Sequence, residues 1–284
     1  MYYSQEKFGR NVLVAVFFAS LLLVACGDGE SSVHRPDGKE ATSSSSGKSS
    51  SSSIVYVEPC KTDKKDNCEY GTLTDERDGQ TYKTVKIGNQ WWMAENLNFA
   101  YLKGTMRLDS SSFCLNDSAS NCEKYGRLYM WSAAMDSAAL YSSDGKNCGS
   151  WFDKCDAFYH DNVRGACPEG WHLPTEDEWR TLITVVGGKS TAGKLLKSTS
   201  GWDDDGNGDD AYGFAVLPGS WLSYCFNFGL PGKNAYFVTS TQYLTPSGYV
   251  DNYVFDIVFD YDRDEVFIND HQRDFGYSIR CVQN

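Results

Sequence analysis

Basic residues are scarce: 26 Lys and Arg stand against 38 Asp and Glu, a formal charge of −12. A nucleic acid or an anionic lipid surface needs a basic patch, so this balance excludes both as primary partners. Histidine is scarcer, with four in 284 residues. No H-E-x-x-H, G-x-S-x-G or Cys–His nucleophile signature occurs, so catalytic constellations are thin. Carboxylate pairs of the glycosidase kind abound in so acidic a chain and carry no information. The chain has no CxxC, and its cysteine spacings fit no zinc module. A membrane-spanning run is also missing. The apolar stretch Val12 to Val24 has 13 residues, whereas crossing a hydrocarbon core takes ~20. What is abundant is aromatic: 8 Trp, 18 Tyr and 15 Phe, which exclude a disordered or collagen-like chain.

The short apolar run follows Lys7 and Arg10 and ends Leu23-Val24-Ala25-Cys26. A basic n-region and an apolar h-region make residues 1–25 a signal peptide. The four closing residues resemble the lipobox of bacterial lipoproteins, which implies lipidation of Cys26. A diacylglycerol and an acyl chain bury several tens of CH₂ groups at ~0.8 kcal/mol each, so this membrane anchor is permanent. Asp directly after the Cys favours inner-membrane retention in such proteins. Here that residue is Gly27, so the expected location is the outer membrane, with cell-surface exposure. Residues 26–54 form a tether, and positions 43–53 hold nine Ser, one Gly and one Lys. Such a coil reaches roughly 30 Å over ~27 residues.

Residues 55–284 read as a single domain. Thr81 to Ile87 and Gln90 to Met93 are β-rich runs around Gly88-Asn89, a two-residue hairpin signal. Leu128 to Trp131 reads as a strand before a short helix, Ser132 to Leu140. The clearest helix starts at Thr175, where Thr175 and Glu178 have capping-box spacing. Trp179, Leu182, Ile183 and Val186 then give one apolar stripe. A shorter helix is expected over Thr191 to Lys197. Strands are expected at Tyr212 to Leu217, Tyr236 to Thr241, Tyr249 to Phe259, Val266 to Ile268 and Tyr277 to Val282, with a turn at Asp262-Arg263-Asp264. Few helices and a strand-rich C-terminal half indicate an α+β fold with antiparallel sheets.

Lipidation of Cys26 removes one of ten cysteines and leaves an odd number. Cys60 with Cys68, Cys114 with Cys122 and Cys148 with Cys155 suit local staples. Cys167 is expected to pair with Cys281, which leaves Cys225 as a free thiol.

Several segments resemble the Fibrobacter succinogenes major paralogous domain. They are Asp78 to Tyr82, Val85 to Asn98, Tyr125 to Met135, Cys167 to Thr175, Tyr212 to Gly219 and Gly276 to Cys281, in the family's order over residues 72–284. The family looks related to C-type lectin-like and formylglycine-generating-enzyme-like folds, through the Leu-Pro-Thr-x-x-x-Trp start of the helix and a Cys-bearing last strand. The resemblance implies a compact α+β domain with two or three short helices and long loops, displayed on a fibre-degrading bacterium. It implies no known activity.

Asp203, Asp205, Asn207 and Gly208 match the start of a calcium loop, and Asp209 extends the acidic run. Position 12 of such a loop would be Phe214, so the bidentate ligand is missing, and an acidic turn competes with calcium. Ile268-Asn269-Asp270 resembles a lectin calcium triplet but has Ile where Trp belongs, and reads as a solvated loop. Trp91 and Trp92 must face opposite ways along a strand. Trp202, Trp221, Tyr224 and Phe228 lie in loop-like sequence and are the candidates for stacking on sugars. The expected function is binding or adhesion to plant polysaccharide or another glycan. The competing reading is a structural or protein-interaction module, with a hydrolase or oxidase third.

Overall fold

The computed structural model describes residues 56–102, 112–148, 162–244 and 250–284. Cys26, Cys155 and the signal and tether segments lie outside them. In chain order the strands and helices are β1 (Lys61–Thr62), β2 (Lys65–Asp66), β3 (Tyr70–Thr74), β4 (Thr81–Ile87), β5 (Gln90–Met93), β6 (Ser112–Phe113), α1 (Ala119–Tyr125), β7 (Leu128–Met130), α2 (Trp131–Ala134), β8 (Trp171–His172), α3 (Glu176–Val185), α4 (Lys189–Leu196), β9 (Asn234–Leu244), β10 (Val250–Asp260), β11 (Val266–Gln272), β12 (Gly276–Tyr277) and β13 (Val282–Gln283). A five-stranded sheet has the order β3-β4-β5-β13-β8, and three-stranded sheets run β11-β10-β9 and β12-β7-β6. All pairings within them are antiparallel. The fold is α+β.

Local chemistry explains the clearest elements. β4 and β5 are joined by Gly88-Asn89, with Gly88 at φ +62°; that left-handed backbone suits the twist of a tight hairpin. α3 has a complete capping box: Thr175 Oγ1 accepts from Glu178 N, and Glu178 Oε2 accepts from Thr175 N at 2.8 Å. Its apolar stripe is buried. Trp179 meets Trp92 at 4.9 Å, Phe237 at 5.4 Å and Phe214 at 5.8 Å between ring centroids. This aromatic cluster joins α3 to both large sheets. Trp92 is fully buried there, while Trp91 turns to the other side and packs against a second core around Tyr129 and Trp131.

Other elements depart from expectation. The helix after β7 is only Trp131–Ala134. Asp136 ends it, taking φ +53° while its carboxylate accepts from Leu140, Tyr141 and Ser142 N–H groups. Tyr212 to Leu217 makes no strand beyond a single bridge at Val216. Ala215 is left-handed there, and the Phe214 and Ala215 carbonyls are taken by the Arg280 guanidinium rather than by a neighbouring strand. Ile268-Asn269-Asp270 lies inside β11, with Asn269 opposite Asp256, rather than in a loop.

The disulfides Cys60–Cys68, Cys114–Cys122 and Cys167–Cys281 are formed. Cys148 is also disulfide-bonded. Cys225 is disulfide-bonded too, which corrects the expectation of a free thiol. That expectation came from counting, and a count does not say which thiols meet. Cys225 sits half-buried in a tight surface turn closed by Phe226 N–H on Ser223 O, where another thiol can reach it. Among the described residues no helix is long and apolar enough to cross a membrane.

Candidate functional site

A hairpin-like loop runs from Trp221 to Gly229, closed by a bridge between Leu222 and Phe228. A second bridge ties Leu222 to Gly276, with N–H···O distances of 3.1 and 2.8 Å. A Cβ at Gly276 would lie 2.9 Å from the Leu222 Cβ, so only glycine admits this approach. The bridge turns Leu222 inward and brings Trp221 beside Phe275.

The result is a set of near-parallel rings. Phe275 has Trp221 at 5.4 Å and 10°, Tyr224 at 6.1 Å and 27°, and His271 at 6.3 Å and 17°. Tyr236 stands edge-on to Trp221 and His271. Tyr224 is 47% exposed, and the other four rings are half-buried. These residues come from the loop, from β9, from the end of β11 and from the turn before β12.

His271 is the polar member. Its Nδ1 lies 2.7 Å from Asp256 Oδ1. Asp256 is wholly buried in the central strand β10, and its Oδ2 has no hydrogen-bond partner among the described residues. Burial pulls the His271 pKa down, but the Asp256 charge and hydrogen bond, with help from Asp270, more than offset this and hold it above the ordinary histidine value. With Nδ1 committed to Asp256, Nε2 is the nitrogen left for an outside partner. The site therefore offers the outer side of a stacked ring set and one directed polar atom, which suits a ligand with an apolar face and hydroxyl edges.

Of the four stacking candidates, Trp221 and Tyr224 belong to this set. Trp202 does not: it is 5% exposed, and its Nε1 donates to Ser198 Oγ and Val216 O, both at 3.1 Å. Loop-like sequence misled there, because a loop residue still goes inside when its indole N–H finds acceptors. Phe228 is also displaced, packing against the small core of Leu115, Tyr125, Leu128 and Leu222. Tyr236, His271 and Phe275 are additions. Each sits in sequence that reads as ordinary strand or turn, and no spacing links them to Trp221.

The acidic run takes the form of a turn, the reading set against calcium from the sequence. Among the described residues no group of three or more His, Cys, Asp or Glu side chains is placed to hold a metal ion. Asp204 and Asp205 take φ of +47° and +62°, left-handed values within a turn that Gly206 N closes on Asp203 O. Asn207 Oδ1 accepts instead from Trp202 N at 3.1 Å. Asp209 lies 3.5 Å from the Lys194 ammonium, which also donates to Asn207 O. A second lysine beside this loop, Lys197, is 1% exposed, and its ammonium donates to the carbonyls of Asp260, Tyr261 and Arg263 at 2.9, 3.4 and 2.9 Å.

An α+β, disulfide-linked domain with a surface ring set is the class these features define. The chain belongs to the Fibrobacter succinogenes major domain family, which it matches over residues 85–283. Comparison with curated proteins and with solved structures gives no match.

Proposed function

We propose that this protein is a carbohydrate-binding module with a C-type lectin-like fold, held at the outer membrane by a lipid on Cys26, and that Trp221, Tyr224 and Phe275 stack on sugar rings. The observation that carries the reading is the near-parallel arrangement of those rings at the surface. A pyranose presents an apolar C–H face and a hydroxyl edge. The rings stack on one another, so a sugar would lie against the outermost face of the set, where Tyr224 is the exposed member; their mutual packing limits the ordering cost of binding. His271 Nε2 then meets a hydroxyl at the edge of the platform.

A protein-interaction module is the second reading, and one observation favours it. Phe226 and Leu230, in and just beyond the same loop, are 46% and 68% exposed, and exposed apolar groups mark protein contacts. Residues 55–284 incubated with insoluble cellulose and a glycan array separate the two. Retention that falls at least tenfold in Trp221→Ala and Tyr224→Ala supports the glycan reading. Absence of retention on every glycan refutes it and favours the protein partner. Turnover of a polysaccharide panel would support the hydrolase alternative.

A further inference from the structure

A cleft of about 410 Å³ opens between β4, the segment after β5, α1 and the 210–217 segment, within the range of small-ligand sites. It shares no residue with the ring platform. We propose that this cleft is a second binding site, selective for an acidic sugar, with the ligand carboxylate held between Lys83 and Lys124 above Arg280 and a hydroxyl donated to the Gln80–Asn98 amide pair.

The charge pattern supports an anion. In a chain of net charge −12, Lys61, Lys83, Lys124 and Arg280 stand against the lining acids Glu95, Glu123 and Asp210, with Asp66 outside the lining but within reach of the Lys61 and Lys83 charges. Lys61 and Asp210 form an ion pair and cancel. Glu95 accepts from Lys83 N at 2.6 Å. The two rim ammoniums are positioned by rings: Lys83 lies 3.5 Å from the Tyr70 ring centroid, and Lys124 lies 4.6 Å from that of Tyr125. The cleft floor is the Arg280 guanidinium, 1% exposed. Its partners are all neutral oxygens: Asn96 Oδ1 at 2.9 Å, Ala215 O at 2.9 Å and Phe214 O. Burial lowers its pKa to about 9. Asp210 and Glu95 act on it through space but neither bonds it, and a buried cation with no carboxylate in contact gains from an anion brought close to it in a low-dielectric setting.

The amide pair supports a hydroxylated ligand. Asn98 Nδ2 donates to Gln80 Oε1 at 3.1 Å, while Asn98 Oδ1 is buried without a partner among the described residues. An unpaired buried acceptor is costly, and because Asn98 lines the cleft, a ligand O–H that reaches this amide would supply the missing donor. A carboxylate for the cations and a hydroxyl for this acceptor coincide in a uronic acid.

Calorimetric titration of the full chain with trimers of galacturonate and of glucuronate, and with neutral galactotriose, tests this. The two uronates distinguish a pectin-like source from other acidic polysaccharides, and binding of either at least tenfold tighter than the neutral trimer supports the proposal. A Lys83→Gln/Lys124→Gln double variant changes two exposed side chains. With an unaltered melting curve, it should weaken uronate binding at least tenfold and flatten its salt dependence. Trp221→Ala should leave it unchanged, so failure here is distinct from failure of the ring platform. Equal binding of the neutral trimer, no uronate binding, uronate affinity indifferent to the double variant, or tighter binding of an acidic peptide would each overturn the proposal.

Discussion

The Cys167–Cys281 disulfide offers the sharpest test of what stabilises this domain. It closes a loop with a sequence separation of 114, and Cys60–Cys68 closes one of 8. If a bridge acts mainly by restricting the unfolded chain, removing the long one costs about 4.8 kcal/mol at 25 °C and removing the short one about 2.5 kcal/mol. Both sulfurs of the long bridge are fully buried, so a Cys167→Ala/Cys281→Ala variant loses packing as well and the gap can only widen. The assay is urea unfolding of the wild type and of the two double-alanine variants, followed by the fluorescence of the eight tryptophans. With a slope of about 3 kcal/mol/M, the midpoints should fall by about 1.6 M and 0.8 M. Equal shifts, or a larger one for Cys60→Ala/Cys68→Ala, would refute the unfolded-chain account. The cost would then reside in native contacts near each bridge.

Three further outcomes are expected. Thr175→Ala removes one half of the capping box and should cost about 1 kcal/mol in denaturant melts, with α3 otherwise intact. Because the folded pKa of His271 is raised, its contribution to stability is present below the unfolded value of ~6.5 and lost as pH rises through the folded one. Stability of the wild type should therefore fall with pH across that window, and His271→Gln should flatten the slope; a slope unchanged by the substitution would rule out the Asp256 pair as its source. Lys197→Met leaves three carbonyls without their donor and should cost roughly 3 kcal/mol, while calcium or a chelator should leave the wild-type melting temperature unmoved. A calcium-dependent rise in that temperature would contradict the acidic-turn reading.

Much of the fold was legible because its signals are short-range. A Gly-Asn between alternating runs, a Thr three residues before a Glu, and paired cysteines eight apart each act within one turn of chain. Tyr212 to Leu217 was not legible as a non-strand. Its extended pattern is overridden by Arg280, which approaches from the other end of the sequence and claims two of its carbonyls. The acidic run at 203–209 carried a motif for calcium, but ligand convergence depends on backbone angles that spacing does not report. Trp202 and Trp221 looked alike in sequence, and the acceptors near each indole decided which went inside.

What the sequence by itself determines is a balance: basic residues are scarce, the net charge is −12, and the apolar run Val12 to Val24 has 13 residues. Its acidity is a sum over the chain, and a sum does not see local reversals. Only the tertiary structure places Lys83, Lys124 and Arg280 around one cleft. Only the tertiary structure aligns Trp221, Tyr224, His271 and Phe275, because these residues lie up to 54 positions apart and meet through the Leu222–Gly276 bridge, a contact that no local pattern encodes.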